Sequence, residues 1–125
     1  MSPEQIRAQL RAARQSWVEV APGKSVQILR PAEADLAQFL VADAEGQRNL
    51  SVELAHVQRF VTDWRGITEA DLLGGALGSD TAAAFDAGLW ADVVADRTDW
   101  RTAVAQALLA AIVAHLDARA ATAKN

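Results

Sequence analysis

The stretch FVTDWRGITEADLL, residues 60–73, decides how this chain is read. Its first half, with Phe60, Val61 and Trp64, reads as the end of an amphipathic helix. Its second half reads as the start of another. Trp64, Arg65 and Gly66 lie between them. Asp63, Arg65, Glu69 and Asp71 crowd together here, which first suggests an active loop. Local roles account for most of them. Gly66 suits a left-handed stop to the first helix. Thr68 caps the second, with Asp71 three residues on. Glu69 stands in a first helical turn, where the helix dipole favours negative charge.

Upstream, LSVELAHVQRFVTDW (50–64) places Leu50, Leu54, Val57, Val61 and Trp64 on one stripe, with Phe60 beside it. That spacing predicts a long helix ending at the joint. ADAEGQRN (42–49) reads as a polar loop. RPAEADLAQFL (30–40) predicts another helix, with Pro31 in its first turn and Glu33 and Asp35 at its positive end. WVEV (17–20) and VQIL (26–29) are β-branched and flank APGKS, which predicts a small hairpin. Two strands alone are marginal and must pack on something. SPEQ (2–5) opens a helix: Ser2 caps, Pro3 fits the first position and Gln5 closes a capping box. Ile6, Leu10, Ala13 and Trp17 follow at helical spacing, and Arg7, Arg11 and Arg14 form a stripe on the neighbouring face.

Downstream, GGALGSD (74–80) reads as a flexible link. A helix is expected after Asp86 through LWADVVADR, and a last, longest one from Thr98 or Asp99 to about residue 120. Between 103 and 114 only Gln106 is polar. Trp100, Val104, Leu108 and Ile112 form one stripe, and Leu109, Val113 and Leu116 a second. A helix apolar nearly all round is central in its fold or covered by a partner. The sum is a mainly α protein: a single small helical domain over 1–125 with a short N-terminal β-hairpin. It divides into a helix at 2–16, the hairpin at 17–30, a helical body at 31–120 and a fraying tail at 121–125.

Composition narrows the function. The chain has 125 residues, of which 51% are hydrophobic, and so can bury one core without staples. It has no cysteine, which removes disulfides and thiol nucleophiles. Net charge is −4, unevenly placed. Residues 1–30 carry five basic and two acidic residues, for +3; residues 31–125 carry seven and fourteen, for −7. The acidic body argues against a nucleic-acid partner. The basic start either seeks an acidic partner or is a solvated face. Residues 1–17 lack a signal-peptide pattern, and the most apolar run, AVAQALLAAIVA (103–114), is too short to span a membrane.

Chemistry-bearing patterns are weak. His56 and His115 stand far apart, without HExxH-type spacing. Asp92 and Asp96 lie one turn apart on a solvated face, and Asp99 is a cap or first-turn residue. LGGALGSD has glycines but no following lysine for a phosphate loop. No GxSxG or SxxK pattern is present. No catalytic residue, metal ligand or cofactor is expected. The aromatic set is the better clue, because four Trp stand with no Tyr. Trp serves both as a core wedge and as an interface anchor.

FVTDWRGITEADLL, the glycine-rich gap and AAFDAGLWADVVADRTDWRTAVAQALLAAI together resemble the tail assembly chaperones of long-tailed bacteriophages and prophages. Val61, Trp64, Gly66 and Ile67 match that family's valine–tryptophan–glycine elbow. Phe85 and Asp86 match its second mark, and VQILRP its short β segment. The proline usual before the phenylalanine is absent, since TAAAF stands there, and residues 2–16 fall outside the pattern. The resemblance implies a non-enzymatic protein of the host bacterial cytoplasm, absent from the mature virion. It implies binding to a tape measure protein while the tail tube protein polymerises, and self-association is compatible with it. A partner surface is expected at Phe60, Trp64, Ile67, Leu72, Leu73 and Leu77, and at Leu109, Val113 and Leu116. Two other readings stand beside it. One is a permanent structural component of a phage tail or neck. The other is a small enzyme or ligand-binding regulator with Arg65, Glu69 or Asp71 in a pocket.

Overall fold

A computed structural model describes residues 1–124. It is about 51% helical and 21% strand, with two small sheets, so the expectation of a mainly α protein is corrected. The correction begins at the joint itself. Helix α1 (Pro3–Ala12) leads into strands β1 (Gln15–Ala21) and β2 (Lys24–Leu29). A 3-10 helix follows at Glu33–Phe39, then β3 (Leu40–Ala42) and β4 (Arg48–Leu50). Helix α2 is only Leu54–Arg59, and Val61–Arg65 is strand β5. Three helices complete the chain: α3 (Glu69–Leu73), α4 (Ala87–Ala95) and α5 (Thr98–Ala123).

The long helix expected over 50–64 is therefore three elements. Leu50 ends β4, Leu54 and Val57 lie on α2, and Val61 and Trp64 lie on β5. Phe60 closes α2 with its backbone N–H on the His56 carbonyl. Val61 and Thr62, both β-branched, favour the strand that follows. The helical spacing misled for a specific reason. In a regular strand, residues three apart point to opposite faces. Here Gln27 pairs with Asp63 and Ile28 with Val61, so Thr62 is an extra residue, a bulge. It brings Val61 and Trp64 onto the same buried face, as a helix would.

β5 joins the hairpin as a third strand, in the order β1–β2–β5, all antiparallel. That is the packing partner the hairpin needed. Val26 and Ile28 from β2 meet Val61 and Trp64 from β5 on the inner face, with Val18 and Val20 of β1 partly buried beside them. The sheet's inner face is backed by α5, whose Trp100, Val104, Leu108 and Ile112 are all buried. Trp90 and Val94 of α4, Val57 of α2 and Phe39 complete the core. Trp90 stacks on Trp100 at 6.5 Å between centroids and donates its indole N–H to the Val57 carbonyl.

Other expectations fare variously. α1 has the full capping box at Ser2 and Gln5. The helix expected from residue 30 is the 3-10 turn, and the polar loop at 42–49 is the bend of a second hairpin, β3–β4. Asp43 organises that bend by accepting from the Glu45 and Gln47 N–H groups. Asp86 caps α4 at the Leu89 N–H. α5 starts at Thr98 as expected and runs to Ala123; Asn125 lies outside the described residues. By length and composition α5 could cross a membrane, which the shorter apolar run did not suggest.

Gly66 takes the left-handed backbone foreseen for it, at φ 76°, but it ends a strand. There it passes directly under the β1–β2 turn, where a Cβ would overlap the Gly23 carbonyl oxygen. Gly66→Ala faces both the unfavourable φ and a backbone collision. It is expected to lose roughly 2 kcal/mol or more, read as a shift in the urea midpoint.

Candidate functional surface

The charged side chains of the joint are engaged locally. Asp63 accepts from the Trp64 N–H at 2.8 Å. Arg65 lies over the Trp17 ring, 4.1 Å from its centroid, on the outer face of the sheet. Glu69 accepts from the Ser79 hydroxyl. Thr68 and Asp71 form the reciprocal cap, at 2.8 and 3.2 Å. Asp71 also pairs with Lys24 at 3.0 Å, which ties α3 to the first hairpin. These contacts leave the four groups separately occupied, with no common point of convergence.

Hydrogen bonds from the Thr68 backbone and from Lys24 hold the Asp71 carboxyl below its ordinary value. The unfolded chain therefore takes up the proton first as pH falls. The stabilisation from Asp71 is full above the ordinary carboxylate range, about pH 4. It is lost as pH falls through the depressed folded value. Asp71→Asn is expected to lower the melting temperature at neutral pH, with the gap to the parent closing in acid; thermal melts across pH check it.

The expected partner surface splits in two. Phe60, Trp64 and Ile67 are core residues, 3%, 6% and 1% exposed, and offer nothing to a partner in this fold. Trp64 donates its indole N–H to the Ala83 carbonyl at 2.7 Å, and Phe85 meets its ring edge-on at 5.3 Å. The segment between them loops out and returns. Thr68 bridges Ala82, Ala83 N–H donates to the Ile67 carbonyl, and Ala70 N–H to that of Ser79. The glycine-rich stretch is thus tied at its base rather than being a free link. Gly78 is needed there, since a Cβ would strike the Glu69 backbone.

The remaining leucines of that loop do face solvent: Leu73 is 59% and Leu77 80% exposed, while Leu72 is half-buried. Leu72 and Val93 floor a shallow groove of about 270 Å³ between α3 and α4, rimmed by Asp92, Asp96 and Arg97. The second stripe of α5 is also outward: Val113 and Leu116 are exposed, with Leu109 half-buried. Sequence reasoning assigned Ile6 and Leu10 to a helix stripe but not to a surface. In the structure α1 buries no residue, and both are exposed. Only the lack of a clear packing partner in the sequence could have signalled this.

Where α1 gives way to β1, a recess of about 510 Å³ opens against the second half of α5. Arg14, Arg30 and His115 line it, with Ala111 and Ala114 on its α5 wall. The Arg14 side chain donates to the Arg30 carbonyl, and that of Arg30 to the Pro31 carbonyl. Burial pushes the Arg30 guanidinium below its ordinary value, and the charge of Arg14 adds to this. Glu33 stands nearby, 3.3 Å from Arg119 and 3.7 Å from His115 Nε2; the second contact is an ion pair only when the imidazole is protonated. Hydrogen bonding from Arg119 holds the Glu33 carboxyl below its ordinary value. Among the described residues no hydrogen-bond partner lies within reach of His115 Nε2, which is itself enclosed.

Among the described residues no group of three His, Asp or Glu side chains is placed to hold a metal ion. Comparisons with models of protein families, with curated proteins and with solved structures find no match.

Proposed function

We propose that this chain is a non-enzymatic tail assembly chaperone that shields apolar stripes of a helical tape measure protein while the tail tube protein assembles. The observation carrying the reading is that large apolar side chains stay exposed on regular elements. Leu73 does so at the end of α3, and Val113 and Leu116 on α5, while Leu77 is exposed in the turn that follows α3. These four side chains stand outside the well-packed core that the rest of the chain forms. Exposed apolar groups rimmed by charge suit a helical client. The contact between Trp64 and Phe85 also supports the reading, because it joins the two marks on which the family resemblance rests.

The test is co-expression with a phage tape measure protein. The client is expected to stay soluble and to be captured with the chaperone. A client that remains insoluble, with no complex recovered, overturns the proposal. A stoichiometric amount of this chain in purified virions would make it a retained tail or neck component instead.

A further inference from the structure

We propose that the face formed by α1 and the adjoining α5 recess docks an acidic amphipathic helix. Its apolar stripe would lie on Ile6 and Leu10 and its carboxylates on the arginines beside them. In identifying that helix with a client this deepens the chaperone reading and rests on it; the surface chemistry stands alone.

α1 is a well-capped ten-residue helix with no buried residue. Isolated helices this short are marginal in water, so one standing free of the core gains from a partner. Ile6 and Leu10 are 45% and 63% exposed, and Ala13 carries the same stripe to the mouth of the recess. Arg7 and Arg11 lie on the flank of that stripe, about 100° round the helix. Arg14, just beyond the helix end, continues the positive line toward Arg30. Among the described residues the carboxylate acting on Arg30 is Glu33, which is already bonded to Arg119. The positive charge at the recess is therefore undercompensated, and a carboxylate placed there would relieve it.

Charge complementarity selects the occupant. A basic helix flank asks for acid, and the exposed Ile6 and Leu10 ask for an apolar stripe at the matching spacing. A nucleic-acid backbone would satisfy the arginines but not the apolar pair, and the −7 body would repel a long polyanion. An acidic helix satisfies both demands over a short span.

The probe is a fluorescein-labelled synthetic helix of about 18 residues, long enough to hold its fold. It carries leucines at i, i+3/i+4 and i+7 and glutamates along one flank. Its twin has every glutamate replaced by lysine. By fluorescence anisotropy with the full chain, the glutamate peptide is expected to bind at least tenfold tighter than the lysine twin, and to weaken at about 0.3 M salt. The double variant Arg7→Glu/Arg11→Glu is expected to reverse that preference, and Leu10→Asp to abolish binding of both. None of these positions is buried, so the variants should keep the parent's melting temperature. Equal binding of the twins, no binding of either, or an unchanged preference in the double variant overturns the proposal. Tighter binding of a DNA or RNA oligonucleotide than of the glutamate peptide also overturns it. So does self-association that Arg7→Glu/Arg11→Glu abolishes, since that gives the face to a second copy. In the co-expression assay, a client kept soluble equally by the parent and the double variant leaves the chaperone reading intact while removing this surface from it.

Discussion

Trp64→Ala is expected to cost about 3–5 kcal/mol, a large share of the stability of a domain of this size. The ring is 6% exposed and packs in the sheet's inner layer. Its loss opens a cavity under β5, removes the edge-on contact with Phe85 and leaves the Ala83 carbonyl without the indole N–H. Trp64→Phe separates these effects, because it refills most of the space but supplies no donor. It should lose less than alanine and still leave that carbonyl unpaired. Urea unfolding of the two variants measures both. A Trp64→Ala protein with parental stability that had lost its client would put the ring at an interface, against its burial.

Leu108→Ala is expected to cost about 2–5 kcal/mol, whereas Val113→Ala on the same helix should stay within about 0.5 kcal/mol. Leu108 is fully buried; Val113 is 42% exposed. The two stripes of α5 thus differ in kind despite similar composition. One is the backing of the sheet, the other is free surface. Thermal melts check the contrast, and a client pull-down with Val113→Asp/Leu116→Asp checks the reverse. That variant should fold normally and lose capture.

What the residues disclosed, and what they hid, follows from range. Caps are local chemistry, so Ser2, Thr68 and Asp86 marked their helices correctly. α5 was legible because its stripe is long enough for the helical period to dominate. β5 was not legible, because its pairing with β2 spans more than thirty residues and its bulge mimics a helical spacing. The 3-10 helix at Glu33–Phe39 carries the same start signals as an α-helix but has only one turn or two before β3 begins. For the surface, Val113 and Leu116 were legible as a stripe left over once the core stripe was assigned. Phe60, Trp64 and Ile67 were misplaced, because an apolar cluster beside a turn looks the same whether it faces solvent or a strand that the sequence does not announce.

The base of the 69–81 detour has a practical consequence. Its two ends are fastened to each other by the Thr68–Ala82 bridge and the Ala83–Ile67 hydrogen bond, independently of what lies between. At Gly75, near its tip, an added Cβ would meet nothing within 4 Å. Such a closed detour is a natural port for an inserted tag, since lengthening it costs only about 0.6 kcal/mol per doubling. A dye carried there would sit beside Leu73 and Leu77 and change its emission when those leucines are covered, so the chain could be made to signal its own occupancy.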